Sequence, residues 1–233
     1  MADHAVVDLR RAVLLPETVD VTKVAAALNP AMSAWVALRR RVPLKPGQSV
    51  LVLGATGNAG GMAVQVAKRL GAARVVGAGR NPERLAELPA LGADEVVALA
   101  DDPAVTAGRL AGTVAEVDVV LDYLWGEPAA LATMAILKAR ADRSRVMDWI
   151  PIGATAGPTI ELPSVALRSA NLRLQGNGQG AISTQAYVAE LPSLVDEVGA
   201  GTIRVDTLSV PLADVEATWN APEIPGQRSV FIP

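Results

Sequence analysis

Residues 51–61 read "LVLGATGNAGG". The apolar run to Leu53 reads as the end of a strand, and glycines follow at Gly54, Gly57, Gly60 and Gly61. From Asn58 to Leu70 the periodicity predicts a helix, with Met62, Val66 and Leu70 on one face and Gly71 as its stop. A strand, a tight glycine turn and a helix N-terminus let backbone amides close on a pyrophosphate, with the helix dipole aimed at it. Ala55 stands where the first glycine of G-x-G-x-x-G would be, so the turn is an A-x-G-x-x-G variant preceded by Gly54. Gly57 suits close approach and Gly60 suits packing of helix on strand. Gly57, Asn58, Ala59 and Gly60 are therefore the candidate pyrophosphate cradle. A bare glycine pattern is a weak signal, and its weight here comes from its place inside a strand–helix–strand unit.

Outward from this turn, strand patterns recur at 49–53, 74–78, 94–98, 117–122, 147–152 and 172–176. Helical patterns lie between them at 58–70, 82–91, 103–112, 127–140 and 184–199. Continuous Val, Leu and Ile runs suit parallel strands covered on both faces. The alternation predicts an α/β fold, a doubly wound parallel sheet, with short extra β segments at both termini. Residues 5–15 "AVVDLRRAVLL" read as one or two strands. The segments 205–210 and 229–232 read as late strands. A helix pair is expected at 21–28 and 30–41, with Asn29 as cap and Pro30 in the first helical position. Pro151 predicts a bulge or strand end, because it removes a ladder donor.

Composition narrows the function. The chain has 233 residues, 51% apolar and 19% charged, which is a folding composition. Its 21 basic residues against 24 acidic ones give a net charge of −3, so no basic excess points to nucleic acid. Arg39, Arg40 and Arg41 read as a solvated helix end whose cations oppose the dipole. Without cysteine, disulfides, thiolate metal sites and a Cys nucleophile are excluded; the single His4 reads as part of a tail, and no metal site is expected. No run approaches the roughly 18 apolar residues of a membrane span. The expectation is a cytoplasmic protein acting on a small molecule, without membrane or nucleic-acid partners.

The second strand bears on the choice of cofactor. It ends "VVGAGRNPER", with Gly79 where an NAD-binding site usually holds an Asp or Glu for the ribose hydroxyls. Arg80 follows at once and Arg84 lies one helical turn on. Two guanidiniums without that carboxylate suit the 2′-phosphate of NADPH.

The lead-in "LKPGQSVLV", the helix "AVQVAKRLGA", the later "LGADEVV" and "IGATAGPTIELPSVALRSANLRLQGNGQG" together resemble the zinc-independent medium-chain dehydrogenases of the quinone oxidoreductase group. The likeness covers about residues 12 to 233. A short-chain dehydrogenase is the rival for "GATG", but a long lead precedes the first strand here. Tyr123 and Tyr187 also lack the Tyr-x-x-x-Lys spacing, being followed by Glu127 and Leu191.

The resemblance implies a Rossmann domain at 21–210, remnant strands of an N-terminal GroES-like domain at 1–20, and a C-terminal helix and strand at 211–233 returning toward that remnant. Family members carry more of the GroES-like domain, which forms the other wall of the cleft. The resemblance further implies that Ile152 and Gly153 meet the nicotinamide carboxamide through their backbone. Asp122 and Tyr123, with Trp125, would line the path from ribose to adenine, and Ser33 would approach the cofactor phosphates. It implies hydride transfer from NADPH to a quinone or activated alkene, and a homodimer paired through the edge strand near 171–177. No catalytic acid or base stands out, so the catalytic residue is left unassigned. The alternatives are a non-catalytic NADPH-binding module or partner subunit, and a structural dimer with a vestigial site.

Overall fold

The computed structural model describes residues 4–222, 224 and 226–233. Six strands, β1 (Ser49–Leu53), β2 (Arg74–Gly79), β3 (Glu95–Ala98), β4 (Val119–Asp122), β5 (Met147–Pro151) and β6 (Leu172–Leu174), form one wholly parallel sheet in the order β3-β2-β1-β4-β5-β6. This is a doubly wound Rossmann-type sheet. The strand order reverses between β1 and β4, the place where such sheets open a crevice beyond their carboxyl ends.

The apolar runs divide their side chains between two cores. Val50, Val52, Val119, Leu121 and Ile150 pack under α1 (Val21–Val36), α2 (Asn58–Arg69) and α7 (Thr184–Gly199). Leu51, Leu53, Val76, Val120 and Trp149 pack under α4 (Pro103–Val114) and α5 (Gly126–Ala139). Strand side chains alternate faces, so a strand buried on both sides needs an unbroken apolar run. β5 ends at Pro151, as its missing donor requires. Pro89 likewise cuts α3 (Pro82–Glu87) short, and the chain continues as a 3₁₀ turn over Leu88–Leu91.

Three expectations are corrected. Residues 21–36 form one helix, α1, capped by the Asp20 carboxylate, with Pro30 inside it rather than at the start of a second helix. Pro30 is buried with Ala26, Ala27, Ala31 and Ala34, and that tertiary packing outweighs the lost backbone bond. The helix then widens into a π turn over Ala37–Arg41, where Val42 N–H donates to Ala37 O at 2.8 Å.

The three arginines of that turn are not merely solvated. Trp35 Nε1 (2.9 Å), Arg39 Nε (2.6 Å) and Arg40 Nε all donate to the buried Glu190 carboxylate of α7. Arg41 Nε donates to Gly176 O at 2.8 Å. Finally, the segment 5–15 holds no strand. It carries a single 3₁₀ turn, Leu9–Arg11, with Val6, Val7, Leu9 and Leu14 exposed. Its apolar letters pair with no strand among the described residues. The late strands do form: β7 (Asp206–Pro211) and β8 (Gln227–Ile232) make a separate parallel pair, flanked by α8 (Val215–Thr218).

Candidate cofactor crevice

The turn after β1 is held by its glycines in different ways. Gly54 has φ +86°, a conformation that a side chain resists, so Gly54 rather than Ala55 makes the sharp corner. A Cβ on Gly60 would lie 2.7 Å from Ala55 Cα and closer still to Gly54 O. Only glycine lets α2 press onto the turn there. Gly57 differs: a Cβ would meet nothing nearer than Gly54 O, at 3.5 Å, and its φ of −81° suits any residue. The fold does not demand glycine at position 57. Gly57 is the N-cap of α2 without a side-chain capping bond, and Asn58 and Ala59 begin the helix. Four residues of one helix start thus stand together at the switch point.

Asp122 ends β4 fully buried. Its Oδ1 accepts from Leu124 N (2.8 Å) and Trp125 N (2.9 Å), and its Oδ2 accepts from Trp149 Nε1 (3.0 Å). Burial pushes its carboxyl above the ordinary range and these three bonds work against that push. The carboxylate pins the β4–α5 turn, where Trp125 sits at φ +52° and Gly126 at φ +61°. An internal brace, not a cofactor-facing acid, is what the geometry gives Asp122.

Tyr123 points toward α1. Its hydroxyl lies 2.9 Å from Ser33 Oγ. Ser33 Oγ donates to Pro30 O (2.8 Å), so the tyrosine is the donor of the pair. Burial drives the Tyr123 hydroxyl well above the usual tyrosine value, with the Ser33 bond a smaller opposing effect, so it keeps its proton. Ser33 and Tyr123 are therefore brought together, 90 positions apart in the chain.

Ile152 N (2.7 Å) and Gly153 N (3.1 Å) both donate to Asp122 O. What these residues can offer a ligand is their carbonyl oxygens. Gly153 is forced by the fold, since a Cβ would lie 2.7 Å from Tyr123 O.

Arg80 and Arg84 are separated. Arg80 lines a cleft of about 450 Å³ beyond the carboxyl ends of β2 to β5, with Leu99, Asp101, Leu124, Glu127 and Thr155. Arg84 lines a different depression of about 80 Å³ beside Asn58, Arg204 and Gly226, and its guanidinium is tied to Glu87. Gly79, at the end of β2, is packed on Thr56, with a Cβ falling 2.7 Å from its Oγ1.

One residue of this neighbourhood escapes sequence reading. Asn177 is 4% exposed; its Nδ2 donates to Ser33 O at 2.8 Å and its own carbonyl accepts from Tyr187 OH at 3.0 Å. In the sequence it is only the last letter of an edge-strand segment. Nothing local signals that it reaches across to α1.

A family described as zinc-binding dehydrogenase matches residues 59–177, about half of the chain. A probable NADPH-dependent quinone reductase of Emericella nidulans is 32% identical over 232 residues, covering 93% of this chain and 63% of the relative. The quinone oxidoreductase of Pseudomonas syringae pv. tomato superposes with a TM-score of 0.75 at 24% identity, covering 95% of this chain and 67% of that one. The Escherichia coli quinone oxidoreductase complexed with NADPH gives 0.76 at 22% identity, covering 97% and 69%. At these identities the structural likeness is one of fold. The chain spans 63% of the length of the curated relative.

Proposed function

The chain belongs to the zinc-binding dehydrogenase family, and from that premise we propose that it is an NADPH-dependent oxidoreductase passing a hydride to a quinone or an activated alkene or carbonyl. The observation that carries this reading is Gly57. Gly54 and Gly60 are glycines because the fold needs them. Gly57 is a glycine that the fold does not need, at a helix N-terminus on the switch point, which is where a pyrophosphate must touch bare backbone.

In this reading the amides of Gly57, Asn58, Ala59 and Gly60 hold the pyrophosphate. The adenosine end occupies the cleft of about 450 Å³ beside Gly79, with Arg80 on the 2′-phosphate and Arg84 outside the contact. Ser33 and Tyr123 flank the phosphates on the α1 side, with the Tyr123 proton committed to Ser33 Oγ. Ile152 and Gly153 present carbonyl oxygens to the nicotinamide end. Asp122 acts indirectly, by fixing the β4–α5 turn. The bound dinucleotide supplies the hydride; the chain positions it and shields it from water, which such a transfer needs more than a charged catalyst.

The reading is zinc-independent, because a chain with no cysteine and one histidine has no thiolate ligands to offer. It also takes the protein to be a homodimer paired through β6, whose outer edge is unpaired among the described residues. No helix among the described residues is long and apolar enough to cross a membrane. A second reading, a non-catalytic NADPH-binding module, draws on the same crevice; the buried carboxylates Asp122 and Glu190 are both committed to internal bonds and neither is free as an acid or base.

Titration of the purified chain with NADPH and NADH, followed by nicotinamide fluorescence, tests the cofactor. Steady-state oxidation of NADPH with a simple quinone then separates the two readings. Tight NADPH binding with turnover supports the oxidoreductase, and binding without turnover supports the module. Binding of neither dinucleotide overturns both.

A further inference from the structure

Asp148 is a charged residue inside an interior strand, β5, where apolar side chains belong. It is 6% exposed. A carboxylate so deep is costly unless donors or cations meet it. Among the described residues it receives one side-chain bond, from Gln175 Nε2 to Oδ1 at 2.9 Å. Its Oδ2 accepts from none of them, yet that oxygen is not sealed in. The fully buried side-chain atoms without a partner are Arg140 Nε and Asn177 Oδ1.

Arg173 stands opposite Asp148 in the register of β5 and β6. Neighbouring strands run roughly 4.8 Å apart, so the two charges could pair. They do not. Both line a depression of about 320 Å³, together with Arg41, Lys45, Gln48 and Gln175. Among the described residues neither Lys45 nor Arg173 joins an ion pair. Arg41 spends its Nε on Gly176 O. The depression thus holds a deep carboxylate oxygen and a set of cations, with a space between them that no side chain spans. It lies by the amino end of β5, whereas the cofactor crevice lies beyond the carboxyl ends of the strands.

A ligand for this space must satisfy both signs. Its anionic part belongs on the cations and a donor belongs on Asp148 Oδ2. An ammonium is a poor donor here, because the three cations around it repel it. A neutral hydroxyl meets no such repulsion. Several cations together also suit the double charge of a phosphate better than the single charge of a carboxylate. The volume lies in the range of small-molecule pockets. We propose that this depression binds a sugar phosphate, with the phosphate on Arg173, Lys45 and Arg41 and a sugar hydroxyl donating to Asp148 Oδ2. The site is separate from the dinucleotide crevice and does not depend on the NADPH reading.

Calorimetric titration with ribose 5-phosphate, inorganic phosphate and ribose tests the site in wild type, Asp148→Asn and Arg173→Ala. Wild type is expected to bind ribose 5-phosphate roughly tenfold tighter than inorganic phosphate. In Asp148→Asn the side chain can still accept from Gln175 but has lost its second acceptor. The ratio should fall to near one, while inorganic phosphate binds no more weakly than before, because a buried negative charge is gone. Arg173 is exposed, so Arg173→Ala keeps the test open should Asp148→Asn fail to fold. It should weaken both phosphates severalfold. Equal affinities in wild type, a ratio that survives Asp148→Asn, or affinities untouched by Arg173→Ala each overturn the assignment, as does the absence of binding. Displacement of ribose 5-phosphate by NADPH would place it in the crevice and overturn the assignment too.

Discussion

Gly57 and Gly60 are separated by two residues and by opposite reasons for being glycine. At Gly60 a methyl group would be driven into the backbone of Gly54 and Ala55. Gly60→Ala is expected to destabilise the fold by about 2–3 kcal/mol, read as a lowered midpoint in urea. Gly57→Ala should change stability by no more than about 1 kcal/mol, since the φ is ordinary and only an N-cap preference is lost. It should nonetheless abolish measurable NADPH binding. A Gly57→Ala protein that binds NADPH as well as wild type would remove the main support for the crevice reading. The arginines divide in a similar way. Arg80→Ala should weaken NADPH by roughly tenfold or more and leave NADH nearly unchanged, because a charge-assisted bond to a phosphate is lost. Arg84→Ala should do neither, since that guanidinium is already engaged by Glu87. Equal losses from both variants would refute the separation. The sequence alone puts these two arginines on an equal footing. Spacing along a helix does not reveal that one turns toward its own i+3 acid.

At the scale of elements, the sheet and its crossovers are legible in the letters because the central strands β1, β2, β4 and β5 are buried on both faces and therefore largely apolar. The turn before α2 is legible for the same local reason. What is not legible comes from packing. Asn29-Pro30 carries every local sign of a helix start, yet α1 runs through it, because the helix is buried between α2 and α7. The contact of α1 with α7 centres on Glu190, whose role has no signature in sequence. Burial alone would raise its carboxyl, but the bonds from Arg39, Arg40 and Trp35 outweigh this and hold it below the ordinary 4.5. A carboxyl lowered in the folded state adds stability above its unfolded value, and that stability is lost as pH falls through the folded value. Wild type should therefore lose stability below about pH 4.5 with a slope that Glu190→Gln flattens. At neutral pH, Glu190→Gln should cost about 2–3 kcal/mol, kept moderate because both guanidiniums are nearly half exposed. Urea midpoints across pH 3 to 8 check both statements (a range chosen around ordinary carboxylate values). An acid limb equally steep in the variant would assign the effect to other carboxyls.

For the whole molecule, one edge of the sheet is β6, whose outer side is unpaired among the described residues. β6 is only three residues long, and Arg173 and Leu174 are exposed. A short edge strand is one way of discouraging random pairing, and a specific two-fold pairing is another way of satisfying the same groups. The ladder indicates which groups are available. Asn171 O accepts from Met147 N and Gln175 N donates to Trp149 O, both at 3.0 Å, so residues 171 and 175 turn their backbone toward β5. By alternation, Leu172 and Leu174 turn theirs outward. Proline at 174 would delete one outward N–H and leave the inward ladder intact, an arrangement that edge strands tolerate. Leu174→Pro is therefore expected to convert a dimer into a monomer of the same fold, with unchanged circular dichroism. Light scattering coupled to size exclusion reads the mass of each directly. If the variant remains dimeric, the subunits meet through another surface, and the exposed face around β7, β8 and Trp219 becomes the next place to look. A wild type that is monomeric at micromolar concentration would mean that three residues of strand are short enough to leave the edge unpaired.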